Sequence, residues 1–286
     1  MGVLTAEQVA RFWEEGCIVL PDAVTEPQLA AMRRVFEGWV AESRAETAAY
    51  GETFDGRPRF DLEPGHSAER PALRRVASPT ELDGVFLETV QTAPMIEAVA
   101  DLMGPDLRFH HSKINSKLPG SATTVKWHQD FTFDPHSNDD VITCLVFLDE
   151  VTLENGALRT LPGSHKGPLY SLWHDGRFTG AIDEEIAESF ERDAVLHTGP
   201  AGAACLMHAR LAHASTANLS AQPRTLFIAV IAAADAVPLS PNPVPSCHAG
   251  LLLHGQEPGR IRSTAFEMET PEIPEGASFF VQQAES

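Results

Sequence analysis

The sequence has few basic residues and few cysteines, and it contains no long apolar run. Its 286 residues include 21 Lys and Arg against 40 Asp and Glu, which gives a formal net charge of −19. Nucleic acids and anionic lipids are bound by clustered Lys and Arg, so this excess of acid argues against both as partners. The longest apolar stretches, near Ala201–Met207 and Phe227–Ala234, are much shorter than the roughly 20 residues of a membrane helix. We therefore expect a cytoplasmic protein with no membrane partner.

The four cysteines are scattered and form no CxxC pair, which excludes a dense disulfide framework. Cys144 and Cys205 lie inside apolar runs, where a thiol behaves as a small hydrophobic side chain. We expect all four to be reduced and structural. Because 43% of the residues are hydrophobic and no repeat divides the chain, we expect one domain spanning residues 1–286.

The first third of the chain carries helix signals. Thr5-Ala6-Glu7-Gln8 has the form of a capping box, apolar side chains follow at helical spacing, and Gly16 marks the end of the helix. A short strand is expected at Cys17–Leu20. A second helix is predicted to begin after Thr25 and to end near Ala45, with Leu29, Met32, Phe36 and Trp39 on one face.

Residues 46–85 show no clear period, and they predict an irregular connection with a short helical turn. Within it, Arg70, Arg74 and Arg75 could meet one anionic group, but we interpret them as a solvated helix face. A third helix is predicted over Met95–Met103, and Gly104-Pro105 ends it.

From Leu107 onward the pattern changes to short β-like runs separated by turn signals. The predicted strands are Val141–Leu148, Ala157–Leu161, Ala203–Met207 and Thr225–Ala232. Asn155-Gly156 indicates a hairpin between two of them. Closely spaced strands without intervening helices favour a β-sandwich or barrel, on which a helical N-terminal third packs.

His128, Gln129 and Asp130 place an imidazole and a carboxylate two residues apart. On an extended segment, side chains two residues apart project from the same face, which suits two ligands of one metal ion. Taken alone, this motif is weak evidence for a metal site. His110 and His111 could imitate a metal pair, but neighbours on a regular strand face opposite ways, so we expect that they do not bind one ion together.

Downstream, His213, Ser215 and Arg224 complete a more specific pattern. We expect His213 to end one strand and Arg224 to begin its hairpin partner, which would bring imidazole, hydroxyl and guanidinium to one site. Two histidines and one carboxylate form the facial triad of non-haem Fe(II) enzymes, and a guanidinium is a natural clamp for a carboxylate co-substrate.

The sequence resembles the phytanoyl-CoA dioxygenase family of Fe(II)/2-oxoglutarate-dependent oxygenases from about Leu4 to Ala232. The motifs that carry the resemblance are Trp127-His128-Gln129-Asp130, Thr152-Leu153-Glu154-Asn155-Gly156, Leu161-Pro162-Gly163-Ser164-His165-Lys166, and His213-Ala214-Ser215 with Arg224 eleven residues after His213. The resemblance implies a mainly β fold with flanking helices, whose core is a double-stranded β-helix, a cupin-like jelly roll. We expect residues 1–106, helical support and irregular connection, to pack on this core and residues 107–234 to form it. Residues 235–286 lie beyond the resemblance, and their Pro-rich start, Pro238–Pro245, suggests a C-terminal extension that wraps the surface and covers the site or a partner subunit.

The resemblance also implies the site. His128, Asp130 and His213 would bind Fe(II), while Arg224 and Ser215 would hold 2-oxoglutarate with help from Asn115. Leu145 stands where some relatives carry an indole. Oxidative decarboxylation with O₂ would yield succinate and CO₂ and oxidise a substrate C–H bond, and hydroxylation is the expected outcome because Asp130 is present. Gln129, Trp173 and His174 are candidate substrate contacts.

Two alternatives stay open at this point: a cupin-like metalloenzyme that does not use 2-oxoglutarate, and a catalytically silent metal-binding protein on the same fold. Desaturation and ring formation also remain possible outcomes of the oxygenase chemistry. The acidic balance disfavours a coenzyme A thioester, so we expect a small or medium organic substrate. The sequence does not indicate an oligomeric state.

Overall fold

Antiparallel sheets and a helical layer form the part of the chain that the computed structural model describes, which is residues 2–273 together with Phe280 and Gln283. The helices are α1 (Ala6–Glu15), α2 (Glu26–Glu42), α3 (Gly84–Thr92), α4 (Pro94–Met103) and α5 (Glu184–Phe190). The strands are β1 (Cys17–Leu20), β2 (Tyr50–Glu52), β3 (Pro58–Leu62), β4 (Leu73–Ala77), β5 (Leu107–Lys117), β6 (Val125–His128), β7 (Val141–Phe147), β8 (Leu158–Thr160), β9 (Trp173–His174), β10 (Arg177–Phe178), β11 (Val195–His197), β12 (Ala204–His208), β13 (His213–Ser215), β14 (Arg224–Ala233) and β15 (Leu252–His254). None of the helices formed by the described residues combines the length and apolar character needed to cross a bilayer.

Two sheets form the jelly roll. The major sheet has the order β1-β12-β7-β14-β5-β4-β3-β2, and β15 also pairs with β5. The minor sheet has the order β11-β8-β13-β6. Side chains from both sheets line one cavity between them. The predicted fold class, mainly β with a double-stranded β-helix core and a helical N-terminal third, is confirmed.

The N-terminal helices follow their local signals. Thr5 and Gln8 form a capping box at α1, and Thr25 and Gln28 form another at α2. In each box the threonine hydroxyl accepts from the third backbone N–H, which would otherwise lack a partner. The apolar face predicted for α2 is buried, and it packs with α1, α3 and α4 against the outer face of the major sheet. These helices therefore cover one side of the sheet and leave the other for the site.

Residues 46–85 differ from the prediction. They form β2, β3 and β4, which extend the major sheet beyond β5, and α3 begins at Gly84. Arg74 and Arg75 lie on a strand and not on a solvated helix face, and Arg75 is only 5% exposed. The strands were missed because they are short and their pairing partner, β5, lies far away in sequence.

Two predicted hairpins are wrong. β7 and β8 flank Asn155-Gly156, but β7 pairs with β12 and β14 in the major sheet, whereas β8 pairs with β11 and β13 in the minor sheet. In the same way, β13 carries His213 in the minor sheet and β14 begins with Arg224 in the major sheet. Each turn therefore crosses between the two sheets, and the residues that it connects face each other across the interior.

A β-bulge at His110 sets which side chains of β5 face the interior. His111 pairs with Val230, whereas Phe109 pairs with Ile231, so His110 is an extra residue. Phe109 consequently packs in the helical core, while His111 lines an interior cavity. The bulge also brings both histidine rings to Asp134, at 2.6 Å for His110 Nε2 and 3.6 Å for His111 Nδ1. The expectation that the two imidazoles must face opposite ways is wrong for this irregular strand.

All four cysteines are free. Cys17, Cys144 and Cys205 are buried, which suits the structural role predicted for them, whereas Cys247 is exposed.

Gly16 provides a test of the packing between α1 and the sheets. Its φ is +91°, and a Cβ at this position would lie 2.6 Å from His165 Nδ1 and 2.6 Å from Leu211 Cδ1. We expect Gly16→Ala to lower the free energy of unfolding by about 3 kcal/mol, a fall in Tm of roughly 6–12 °C. Thermal unfolding followed by circular dichroism measures this. The control is Gly38→Ala in α2, where a Cβ meets nothing within 4 Å and stability should rise by about 0.5–1 kcal/mol. Equal Tm values for the two variants would contradict the packing role.

Candidate metal and co-substrate site

The structure brings His128, Asp130 and His213 together between the two sheets. His128 ends β6, Asp130 begins a short 3₁₀ turn, and His213 pairs directly with His128 across the minor sheet. Asp130 Oδ1 lies 3.6 Å from His128 Nε2 and 3.7 Å from His213 Nε2. One ligand atom from each of the three residues lies within 4.8 Å of the ligand atoms of the other two. This spacing is close enough for all three residues to bind a single metal ion.

Backbone and hydroxyl groups orient each member of this triad. Nδ1 of His128 contacts the Lys126 carbonyl at 2.8 Å, and Nδ1 of His213 contacts the Leu211 carbonyl at 2.9 Å. Each contact makes Nδ1 the protonated nitrogen and directs Nε2 toward Asp130. The Thr143 hydroxyl donates to Asp130 Oδ2 at 2.7 Å, which fixes the carboxylate and aims Oδ1 at the imidazoles.

Electrostatics keep His213 and Asp130 in the protonation states that metal binding needs. Burial, reinforced by the neighbouring His128, lowers the pKa of His213 to about 4. Burial alone would raise the pKa of Asp130, but His213, His128 and Lys113 outweigh it and hold this pKa well below its usual range. At neutral pH His213 is therefore neutral and Asp130 is ionised.

A first cavity extends from the triad toward Arg224. Arg224 is 3% exposed, and its Nε and Nη2 both donate to the Gly156 carbonyl, at 3.1 and 2.9 Å. Lys117 lines the same cavity and donates from Nζ to Ser215 Oγ at 2.8 Å and to the Thr216 carbonyl. Burial lowers the pKa of Arg224 to about 10, so this group stays charged at neutral pH. The cavity can therefore pair one carboxylate with a fixed guanidinium.

The rest of the first cavity matches a short dicarboxylate. Leu145, Leu226 and Ile228 form apolar walls between the Arg224 end and the triad. Near them, Asn115 Oδ1 is buried and has no hydrogen-bond partner among the described residues. An unsatisfied buried amide is costly, and a polar ligand would relieve that cost. The donor set, the guanidinium and this amide together fit Fe(II) and 2-oxoglutarate.

A second cavity reaches the triad from another direction. It encloses about 600 Å³, counting its opening, and shares Lys113, His128, Asp130 and Thr143 with the first. Arg75, His111 and Asp134 line it on one side, and Val141, Val230 and Val244 are among its apolar lining residues. Two separate ligands can thus approach the triad at the same time.

The three predicted substrate contacts lie outside these two cavities. Gln129 is fully buried, and its amide bridges the Pro168 and Arg210 carbonyls and the Tyr170 N–H, so it ties a loop to the triad segment. Trp173 and His174 form a small hairpin with β10, and they line other clefts.

Sequence reasoning missed Arg75, Lys113, Lys117 and Thr143. The signal for two of them was present in Lys113-Ile114-Asn115-Ser116-Lys117, where long polar side chains alternate along one strand. Thr143 is the one hydroxyl in the apolar run Val141–Phe147, at a position that faces the interior. Arg75 was assigned to a solvated helix face because its strand was not predicted.

A jelly roll that holds a His-Asp-His triad between its sheets, beside a buried guanidinium, defines a metal-dependent oxygenase of the double-stranded β-helix class. Residues 12–226 match the phytanoyl-CoA dioxygenase (PhyH) family, and the chain belongs to that family.

Individual relatives agree with this membership. The chain is 37% identical over 200 residues to the probable alpha-ketoglutarate-dependent hypophosphite dioxygenase of Stutzerimonas stutzeri, and the aligned segment covers 68% of each protein. It is 28% identical over 238 residues to L-proline trans-4-hydroxylase of Streptomyces griseoviridis, and this alignment covers 76% of this chain and 82% of the relative. The crystal structure of EctD from S. alaskensis with bound Fe superimposes with a TM-score of 0.67 at 25% identity, over 93% of this chain and 88% of that one. The predicted enzyme class, a 2-oxoglutarate-dependent dioxygenase, and its cofactors Fe(II) and 2-oxoglutarate are confirmed.

Proposed function

We propose that the enzyme hydroxylates a C–H bond of a small organic molecule, and that its residues divide the work between the two cavities. His128, Asp130 and His213 hold Fe(II). Arg224 pairs with the distal carboxylate of 2-oxoglutarate, and Ser215 and Asn115 complete the co-substrate contacts. The substrate occupies the second cavity.

The observation that carries this proposal is that both cavities open onto the same triad. When bound, iron and 2-oxoglutarate supply the oxidative decarboxylation that yields succinate and CO₂ and activates O₂. The chain's own residues do the positioning. Arg224 and Lys117 fix one end of the co-substrate, the apolar walls exclude water from its carbon chain, and Thr143 keeps the Asp130 carboxylate aligned.

The size of the substrate is supported by the second cavity and by the relatives. The lining of the second cavity, apolar valines beside a few polar groups, suits a small ligand. The relatives described above are named for hypophosphite and for L-proline, which are both small molecules. The C-terminal extension contributes to the enclosure, because Pro243 and Val244 line the second cavity and Phe280 lines the first.

Anaerobic titration tests the site assignments. Fe(II) followed by 2-oxoglutarate should produce the weak visible charge-transfer band of a bidentate keto-acid complex. The matched ligand control is 2-oxobutyrate, which keeps the keto acid but lacks the distal carboxylate, and it should need a higher concentration because it cannot use Arg224. Substrate screening then follows succinate release, with ¹⁸O₂ incorporation into the product as the sign of hydroxylation.

Iron binding without the band would contradict the proposal and favour a cupin-like metalloenzyme that does not use 2-oxoglutarate. Equal affinity for the two keto acids would contradict the role of Arg224. Succinate release with a product that gains no labelled oxygen would contradict hydroxylation.

A further inference from the structure

Two cysteines and a histidine outside the triad meet where the edges of the two sheets approach each other. Cys17 lies on β1 and Cys205 on β12, the neighbouring strand of the major sheet, whereas His197 ends β11 in the minor sheet. β1 and β11 are edge strands of their sheets. One ligand atom from each of the three residues lies within 4.8 Å of the ligand atoms of the other two. The fold thus joins three side chains of metal-binding type that are distant in sequence.

The two thiols of this cluster share one face of the major sheet. Cys17 pairs with Met207 and Cys205 pairs with Val19, so the alternation along each strand directs both sulfur atoms into the space between the sheets. From the minor sheet, His197 Nε2 lies 3.4 Å from Cys17 Sγ. The usual Zn–S and Zn–N bond lengths place a sulfur and a nitrogen ligand of one tetrahedral Zn²⁺ about 3.5 Å apart. The observed separation therefore fits two ligands of a single ion.

A hydroxyl group lies next to the cluster, and the sheet edge gives access to it. Thr160 Oγ1 on β8 lies 2.8 Å from His197 Nε2 and 3.8 Å from Cys17 Sγ. Three protein ligands leave one position of a tetrahedral ion, which oxygen from Thr160 or from a water that it binds can fill. His197 is half-buried, and Val195 and Leu196 of the same strand are exposed. An ion can therefore reach the buried thiols along the β11 edge.

The donor set determines the class of ion. Thiolate sulfur and imidazole together are typical ligands of Zn²⁺, whereas the triad offers imidazole and carboxylate, which suit Fe(II). Two thiolates cancel the charge of Zn²⁺, so the occupied site is neutral, as the burial of Cys17 and Cys205 requires. On binding, two Zn–S bonds form, and the two thiol protons are released to solvent.

We propose that Cys17, Cys205 and His197 bind a Zn²⁺ ion that fastens the edges of the two sheets together. This ion is separate from the iron ion of the triad. It stabilises the fold, because ligands from both sheets meet around it only in the folded chain. The inference is independent of the proposed function, which assigns none of these three residues to iron, 2-oxoglutarate or substrate.

Titration of the full chain with Co²⁺ tests the site, after metal has been removed with a chelator and the thiols have been counted as reduced. Thiolate ligands give Co²⁺ a strong sulfur-to-metal charge-transfer band in the near ultraviolet, which the triad cannot give because it contains no sulfur. The band should appear under argon and disappear when Zn²⁺ is added, since Zn²⁺ binds such a site more tightly than Co²⁺. Absence of the band with excess Co²⁺, or a band that Zn²⁺ does not remove, would overturn the inference.

Matched cysteine variants identify the sulfur ligands. Cys17→Ala and Cys205→Ala should each weaken Co²⁺ binding at this site at least tenfold and remove about half of the band at saturation, because one of two thiolates is lost. Cys144→Ala is the buried control, since Cys144 packs on the opposite face of the major sheet, in the helical core. Cys247→Ala is the exposed control. Both controls should keep the full band and bind within twofold of the parent. Equal losses in a control and in the two ligand variants would overturn the assignment.

His197→Gln tests the cluster without a change in the core between the sheets, and it decides the result if the buried cysteine variants do not fold by circular dichroism. It should weaken Co²⁺ binding at the thiol site at least tenfold. Zn²⁺ should raise the Tm of the parent by about 5 °C more than that of His197→Gln, and binding at the triad cancels in this comparison. Equal Tm shifts would overturn the inference.

The visible band of Fe(II) with 2-oxoglutarate should be the same in His197→Gln and in the parent. This band depends on the triad, so its absence from both proteins contradicts the proposed function and leaves the zinc site standing. Loss of the visible band from His197→Gln alone would show that the two sites are not separate, and would overturn the inference.

Discussion

Asp130→Ala is expected to release iron and to lower 2-oxoglutarate turnover by about 1,000-fold or more, equivalent to roughly 4 kcal/mol. The carboxylate is the sole anionic member of the triad, and its Oδ1 faces both imidazole Nε2 atoms. Without it, two imidazoles remain as ligands, and their ring centroids lie 4.1 Å apart. Iron content after anaerobic dialysis against a weak chelator, together with succinate release, measures both effects.

Two further variants make this result specific. Thr143→Val keeps the carboxylate but removes the hydroxyl that orients it, and its iron affinity should fall by about 10–100-fold, as is typical when a group that orients a ligand is lost. Asp193→Ala removes an exposed carboxylate that pairs with Arg192, and its iron affinity should equal that of the parent. An Asp130→Ala enzyme that retains stoichiometric iron and full turnover would exclude Asp130 as a ligand.

Arg224→Ala is expected to raise the KM for 2-oxoglutarate by about 100-fold, which corresponds to roughly 2.7 kcal/mol, in the range of a charge-assisted pair in a buried site. The guanidinium is held in place by its two bonds to the Gly156 carbonyl, so no ordering is needed when the co-substrate binds. Iron binding should not change, because Arg224 lies at the far end of the cavity from the triad. Steady-state kinetics at varied 2-oxoglutarate measure the effect.

The keto acid without a distal carboxylate separates this role from general damage to the pocket. Affinity for 2-oxobutyrate should be the same in Arg224→Ala and in the parent enzyme. Arg224→Lys should give a smaller rise in the KM for 2-oxoglutarate, about tenfold, because ammonium keeps the charge but loses the planar fork. If both keto acids lose affinity equally in Arg224→Ala, the residue supports the fold of the cavity and does not bind the carboxylate.

The sequence predicted the elements that local signals determine. The capping boxes at Thr5 and Thr25 defined α1 and α2, because hydrogen bonds within one turn decide where those helices begin. The strands of the core were recognisable because their apolar runs are bounded by turns. By contrast, β4 depends on pairing with β5, a contact between distant parts of the chain, and its two arginines were therefore assigned to solvent.

The proximity of His213 and Arg224 was predicted correctly but for the wrong reason. The short, turn-like connection suggested a hairpin, whereas the two residues belong to facing sheets and meet across the interior. Sequence periodicity reports which residues share a face, but it does not report which sheet a strand joins. Lys117 was missed for the same reason. Its place in the site depends on its contact with Ser215, which lies on the other sheet.

The bulge at His110 divides one strand into two parts with different selective constraints. In the part before the bulge, substitution of a side chain that packs against the helices, such as Phe109, would alter the helical core that stabilises the molecule. After it, Lys113, Asn115 and Lys117 can be exchanged to accommodate another ligand while Ile114 continues to serve the core. Deletion of His110 would leave Phe109 and His111 opposite Ile231 and Val230 and would keep both faces, whereas deletion of a residue after the bulge would shift the register and send the charged side chains into the helical layer. Diversification of specificity in this chain is therefore expected through substitutions along β5, with the length of the segment after the bulge held constant.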